Sequence, residues 1–305
     1  MMRAAVLTEV DAPFELREVP EPDGEGKVVV RVRAAGINFA DVMIRRGVYP
    51  QMPELPAILG TEIAGELEDG TRVMAFSSGA GGYAELAAVE PAALVPLPEG
   101  ASFAEGASFL LTFLTAYIPL AKQVRLREGA TVLVYAAAGG VGTAAIQVAL
   151  ALGAGRVVAA AGSTEKLGVC RELGAAEAYV YDEIPDDLQA DVVVDPVGGE
   201  LFASSLPRLR PLGALIAIGS AAGPWPPVDP RLLVGRNASV HGFYLGRLMR
   251  LDPGLVIPAV GEVLELWTRG AVKPLVGAEF PLDEIEQAHA LVESRRSVGK
   301  VVLLP

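Results

Sequence analysis

The sequence predicts an α/β protein in two parts: a doubly wound parallel sheet in the middle of the chain and a mainly antiparallel β unit at its start. Three observations predict it. From about residue 110 onward, continuous apolar runs alternate with helix-patterned segments, as parallel strands covered by helices on both faces do. Before that, short strands are separated by Pro- and Gly-rich turns such as EPDGEGK and LEDGT, the texture of an antiparallel unit. The length, 305 residues, is long for one hydrophobic core and comfortable for two.

In chain order, VVVRVRAAGI (28–37), EIAGELEDGTRVMAF (62–76) and GGYAELAAVE (81–90) read as strands of the first part. The apolar stretch at 103–121 is interrupted by Glu105, Gly106, several hydroxyls and Pro119, so it reads as a buried helix and no membrane span is expected. TVLVYAAA (131–138) is a buried-strand run, VGTAAIQVALALGA (141–154) has helical spacing and RVVAAAG (156–162) is a second strand. STEKLGVCRELG (163–174) reads as a helix capped by Ser163 and stopped by Gly174. EAYVY (177–181), DVVVD (191–195) and ALIAIG (214–219) are further strands, with a helix across 201–210. Helix returns after 255, followed by FPLDEIEQAHALVES and a closing strand, GKVVLLP. So apolar a final strand needs a sheet to join. It is expected to return to the first part, giving a discontinuous domain of 1–112 and 255–305 around a domain of 113–254.

Composition narrows the function. Half the residues are apolar (51%), a fifth are charged (20%), and the formal net charge is -12. An acidic surface argues against nucleic acid as the main partner. The single cysteine, Cys170, allows no internal disulfide, which fits a cytoplasmic location. The first residues lack the apolar core of a signal peptide. One cysteine and two histidines exclude structural zinc sites built on three or four cysteines. His289 reads as structural, and neither it nor His241 has a partner pattern for metal or triad chemistry.

The strongest local signal is VLVYAAAGGVGTAAIQVA. A buried strand meets Gly139, Gly140, Val141 and Gly142, and a helix starts at once. Small residues let backbone approach a pyrophosphate, and the helix N-terminus offers free N–H groups and a positive dipole end. The spacing is A-x-x-G-x-x-G from Ala136, and the strand–turn–helix context is the one a dinucleotide site requires. No Lys-Ser/Thr pair follows the glycines, so the P-loop alternative fails. The second strand ends in Ala161, Gly162 and Ser163, with Lys166 one turn on. The tip carries no carboxylate to repel a 2′-phosphate, and the lysine supplies charge, so NADP is favoured over NAD. VVVDPVGG and AIGSAAG end two later strands with small residues, so Pro196, Val197, Gly198, Gly219 and Ser220 either line the cofactor channel or only form the turns there.

GINFADVMIRRGVYP…LPAILGTEIAGE, LTAY, YAAAGGVGTAAIQVALALGA, DPVGG and GKVVLLP follow one another in an order the chain shares with a known family. Over nearly its whole length it resembles the zinc-independent quinone oxidoreductases, the zeta-crystallin-like branch of the medium-chain dehydrogenase/reductase superfamily. The resemblance implies a GroES-like catalytic domain built from both chain ends and a Rossmann domain between them. It also implies NADPH in the cleft between the two, and a homodimer joined through a strand near 238–246. In zinc-dependent relatives a catalytic cysteine stands where this chain has Asn38, and a histidine where it has Thr61. The resemblance thus points to a site without metal. Relatives also carry a longer connection where this chain has only LEDGT.

Residue by residue, the resemblance implies catalytic roles for Asn38, Asp41 and Tyr49, and a contact of Thr115 with the nicotinamide ribose region. Ser163, Lys166 and Tyr181 resemble the group around the 2′-phosphate, although Tyr181 is followed by Asp182 rather than a basic residue. Phe243 would lie near the nicotinamide, and Arg295 or Arg296 with Lys300 would reach the cofactor phosphates. Without a metal, polarising the acceptor falls to hydrogen-bond donors, of which Tyr49 and the Asn38 amide are candidates. The implied activity is NADPH-dependent reduction of quinones. Reduction of an enone or enoyl-thioester C=C bond on the same scaffold is the alternative. A non-catalytic NADPH-binding or RNA-binding role is the reading from another class.

Overall fold

A computed structural model describes residues 1–77 and 81–305. The chain forms two compact units, Met1–Leu110 with Pro274–Pro305, and Leu111–Lys273. The first unit opens with β1 (Met2–Leu7), β2 (Glu15–Val19) and the ten-residue β3 (Val28–Ile37). Asn38 then stops the strand and caps the short helix α1 (Phe39–Arg45). β4 (Ala57–Ile58), β5 (Glu62–Glu66), β6 (Arg72–Phe76), β7 (Leu86–Val89), β8 (Leu94–Pro96) and α2 (Phe103–Gly106) follow. The LEDGT segment is the tight turn between β5 and β6, closed by the Leu67 N–H bonding to the Thr71 carbonyl.

The second unit begins with α3 (Leu110–Tyr117), which runs on into a wider helical turn at Ile118–Gln123. Over Phe103–Gln123 the chain is long and apolar enough for a membrane span, but 83% of that window is buried inside the protein, the environment of a core helix. Next come β9 (Thr131–Val134), α4 (Gly140–Ala151), β10 (Arg156–Ala161), α5 (Leu167–Glu172), β11 (Glu177–Val180) and β12 (Ala190–Asp195). They are followed by α6 (Gly199–Ser205), β13 (Leu209–Ala217), α7 (Pro230–Val234), β14 (Ser239–Gly242), α8 (Leu245–Leu251) and α9 (Pro253–Thr268). The strands form one parallel sheet in the order β11-β10-β9-β12-β13-β14. That is the doubly wound order whose direction reverses between its first and fourth strands, here β9 and β12. Apolar residues such as Leu133, Val158, Val193 and Leu215 fill its faces.

The chain re-enters the first unit as β15 (Val276–Pro281), α10 (Ile285–Glu293) and β16 (Lys300–Leu304). The closing strand slots between β15 and β3, parallel to the first and antiparallel to the second. A seven-stranded sheet results, with β15-β16-β3-β5-β6-β8 in line and β7 on β3, beside a smaller sheet β2-β1-β4. The return falls at Pro274 rather than 255. Two ties keep α9 and the segment after it in the second unit. Lys122 pairs with Glu262 at 2.7 Å, and the Gln147 amide bonds both the carbonyl and the N–H of Lys273, at 3.0 and 2.8 Å.

Candidate active site

In the second unit, strand β9 ends in the glycine turn. Ala136 adopts a left-handed φ of 46° and Gly139 becomes the N-cap of α4, with no side-chain cap among the described residues. The first-turn N–H groups of a helix have no intrahelical partners, so Gly140, Val141 and Gly142 present backbone donors and the positive dipole end. Gly142 lies flush on the turn. A Cβ there would meet the Ala136 carbonyl oxygen at 2.2 Å and the Ala137 Cα at 2.6 Å.

Beside the turn, Ala161 of β10 pairs with Val180 of β11, so Ser163 and Tyr181 emerge from neighbouring strand ends. The Tyr181 ring lies 3.8 Å from where a Gly162 Cβ would be. Lys166 closes a single tight turn ahead of α5, and burial holds its ammonium pKa below the ordinary value. Ser163 makes no capping bond; its hydroxyl faces the Glu165 carboxylate, which it holds below the usual range. On the other side of the switch point, Asp195 is buried and accepts the N–H groups of Val197 at 2.7 Å and Gly198 at 3.0 Å. A Gly219 Cβ would meet the Pro196 oxygen at 2.9 Å, and the Phe243 N–H bonds the Ala217 carbonyl at 2.9 Å. The structure therefore gathers Val197, Gly219, Ser220 and Phe243 at the carboxyl ends of adjacent strands. Thr115 is buried on α3.

The first unit holds a buried polar cluster set by register. Ile37 pairs with Val301, so the next step along that ladder brings Lys300 opposite Asn38, while Glu62 pairs with Gly36, two residues before Asn38 on the same strand. Lys300 Nζ donates to Glu62 Oε2 at 2.8 Å and also to Asn38 Oδ1. The ion pair is sealed, with side-chain exposures of 4% and 0%. Asp41 Oδ2 accepts the Asn38 N–H at 2.8 Å. Burial pushes the Asp41 pKa up to about 6, against the opposing pull of that N–H and of the Lys300 charge. Tyr83 is wholly buried; its hydroxyl feels the Asp41 charge yet lies outside normal hydrogen-bond geometry, as does Asp41 Oδ1. Burial, reinforced by Asp41, raises the Tyr83 pKa well above its usual value. His289 packs on Phe14 and Tyr83 with ring centroids 4.7 and 5.7 Å away. Burial, with Arg45 nearby, lowers its pKa to about 3, so the ring is neutral.

Two further expected residues lie in the same unit. Tyr49 is half-buried against the first unit's core, and Arg295 is exposed with φ 58° between α10 and β16. The Lys300 ammonium, expected at cofactor phosphates, is committed to Glu62 and Asn38. Sequence reasoning missed Glu62 and Tyr83. Glu62 did carry a signal: it opens the otherwise apolar run EIAG, all four residues of which are buried, and a buried carboxylate needs a cation.

Residues 24–99 match the alcohol dehydrogenase GroES-like domain family, and residues 173–303 the zinc-binding dehydrogenase family. The quinone oxidoreductase of Pseudomonas aeruginosa is 36% identical, covering 94% of this chain and 93% of the relative. The quinone oxidoreductase-like protein 2 homolog of Nematostella vectensis is 34% identical over 99% of this chain and 88% of its own. The solved quinone oxidoreductase of Thermus thermophilus, also determined in complex with NADPH, aligns over 100% of both chains at 44% identity with a TM-score of 0.92. The fold and the glycine turn define a two-unit α/β oxidoreductase. The chain belongs to the quinone oxidoreductase family of the medium-chain dehydrogenase/reductase superfamily.

The zinc in one family description does not fit this donor set. Lys300 already bonds Glu62 Oε2 and Asn38 Oδ1, and the described residues contain no group of three His, Cys, Asp or Glu able to hold a metal.

Proposed function

We propose that this protein reduces quinones with NADPH. The observation that carries the reading is the β9–α4 turn, where Gly142 brings helix and turn within 2.2 Å of the position its Cβ would take. The cradle suits a pyrophosphate held by the N–H groups of Gly140, Val141 and Gly142. Ser163, Lys166 and Tyr181 would surround the 2′-phosphate, which favours NADPH over NADH. Bound NADPH would supply a hydride, and a solvent proton completes the hydroquinone. This chain's residues bind, orient and polarise. Asn38 offers an amide N–H to the acceptor's carbonyl oxygen, where negative charge develops as hydride arrives. Asp41 holds the Asn38 backbone. A quinone demands little acid assistance because its reduction is intrinsically easy.

The test is oxidation of NADPH and NADH against a panel of quinones, enones and enoyl-CoA esters. Quinone turnover with NADPH is expected, and Lys166→Ala should weaken NADPH by roughly tenfold while leaving NADH nearly unchanged. Efficient enoyl reduction without quinone turnover would transfer the protein to C=C reduction. Equal losses for both nucleotides would remove Lys166 from the 2′-phosphate. The edge strand β14 pairs only with β13 among the described strands, which supports a homodimer through this edge. A mass of one chain in light scattering at micromolar concentration would exclude it.

A further inference from the structure

A buried lysine with two different partners invites the question of what it does for each. The ammonium has donors and no acceptor, so the Asn38 atom facing it must be the amide oxygen. Amide oxygen and nitrogen are otherwise close in shape. The Nδ2 group is thereby turned away, and its one partner among the described residues is the Gly36 carbonyl at 3.4 Å, a long contact that leaves its second N–H undirected. The passage is built for the lysine. A Cβ at Gly36 would meet Lys300 Cε at 2.8 Å and the Ala107 oxygen at 2.0 Å. Glu62 cancels a charge that would otherwise be costly to bury. An apolar pair of similar volume generally serves stability as well as a buried ion pair, so the pair needs another account.

We infer that Lys300, neutralised by Glu62, is a positioning residue that fixes the Asn38 amide so that it offers N–H, not C=O, to the acceptor's carbonyl oxygen. The inference rests on the reductase reading above. Through Asn38, Lys300 governs the donor that meets developing oxygen charge, and neither Lys300 nor Glu62 needs to touch the acceptor or the nucleotide.

Two variants test it, with 1,4-benzoquinone as acceptor. Asn38→Asp keeps the oxygen facing Lys300 but removes the donor. Its melting temperature should fall, because the new carboxylate exceeds the one lysine charge that Glu62 already balances, while kcat of the folded protein falls by about tenfold or more. Lys300→Met/Glu62→Gln removes the ion pair together, leaving no uncompensated charge. Its kcat should fall several-fold, roughly 3- to 10-fold, with KM for NADPH unchanged. Wild-type kcat in either variant would overturn the inference. So would a loss in KM for NADPH at constant kcat, since it would put Lys300 on the nucleotide phosphates. A readout free of turnover is the Asn38 side-chain 15N amide signal, identified by its disappearance in Asn38→Asp. It should shift or broaden in the double variant, and an unchanged signal sinks the inference. If the wild-type protein reduces no quinone, the reductase reading fails, while the amide signal still tests the orientation.

Discussion

The glycine turn of the second unit and the polar cluster of the first are built in opposite ways. The turn works with backbone: small residues, a helix N-terminus without a side-chain cap, and a strand end with no carboxylate. The cluster works with side chains: a sealed ion pair, an amide and a carboxyl whose pKa is raised to about 6. A backbone site tolerates changes in side chains that keep the approach open. A side-chain site depends on strand register and on charges staying matched.

The largest expected effect tests how far both regions depend on close backbone approach. Gly36→Ala would put a Cβ 2.0 Å from the Ala107 oxygen, and Gly142→Ala one 2.2 Å from the Ala136 oxygen. Each should lose about 3 kcal/mol or more in urea unfolding, because backbone on both sides must move. Gly142→Ala should in addition abolish NADPH binding measured by fluorescence, whereas Gly36→Ala protein that still folds should bind it. Equal effects on binding would erase the distinction between the two regions.

A smaller effect is specific to the cluster, since its two buried titrating groups oppose one another. Asp41 rises from 3.8 to about 6 on folding, so it penalises the folded state above about pH 6 and the penalty lifts as pH falls toward 4. His289 drops from 6.5 to about 3, so its contribution is complete above 6.5 and is lost as pH falls toward 3. Asp41→Asn leaves the histidine unopposed. Relative to wild type, its stability should decline by about 1.4 kcal/mol per pH unit between roughly pH 6 and 4. His289→Phe should show the opposite slope over the same window. Parallel pH profiles for wild type and both variants would mean that neither group titrates as its burial dictates.

The smallest effect belongs to the turn. Ala136 stands at the first position of the glycine pattern with φ 46°, a conformation that costs an L-residue roughly 1–2 kcal/mol. Ala136→Gly should stabilise the protein by about 0.5–1 kcal/mol in urea unfolding. No gain, or a loss, would show that the turn is not strained.

The second unit was readable in the sequence because its strands are buried on both faces. Continuous apolar runs such as VVVD and TVLV mark them directly, and β9, β10, β11 and β12 lie within a residue or two of the predicted runs, apart from the earlier end of β9. That strand stops at Val134 because the chain turns at Ala136, whose positive φ no apolar pattern announces. The helix predicted across 201–210 ends at Ser205 and gives way to a tight turn, since Leu209 and Arg210 are drawn into β13. Ser163 had the residue type of a cap but spends its hydroxyl on Glu165. Asn38 and Asp41 are legible in the sequence because polar residues interrupt an apolar strand end. Glu62 and Tyr83 are not, because each sits inside a run that looks like ordinary strand.

By itself, the sequence determined the two-part architecture, the dinucleotide-type turn and membership of the family. These depend on local periodicity, on small residues at fixed short spacing, and on motifs in order along the chain. Tertiary structure alone decided that Lys300 meets Asn38 and Glu62, which are 262 and 238 residues away along the chain. Those contacts exist because β16 inserts beside β3 in one register, and a shift by one residue would turn the lysine to the other face of the sheet. Tertiary structure likewise set the protonation of the cluster. The pKa values of Asp41 and His289 follow from how completely the surrounding elements exclude water, a property of packing rather than of neighbours in the chain.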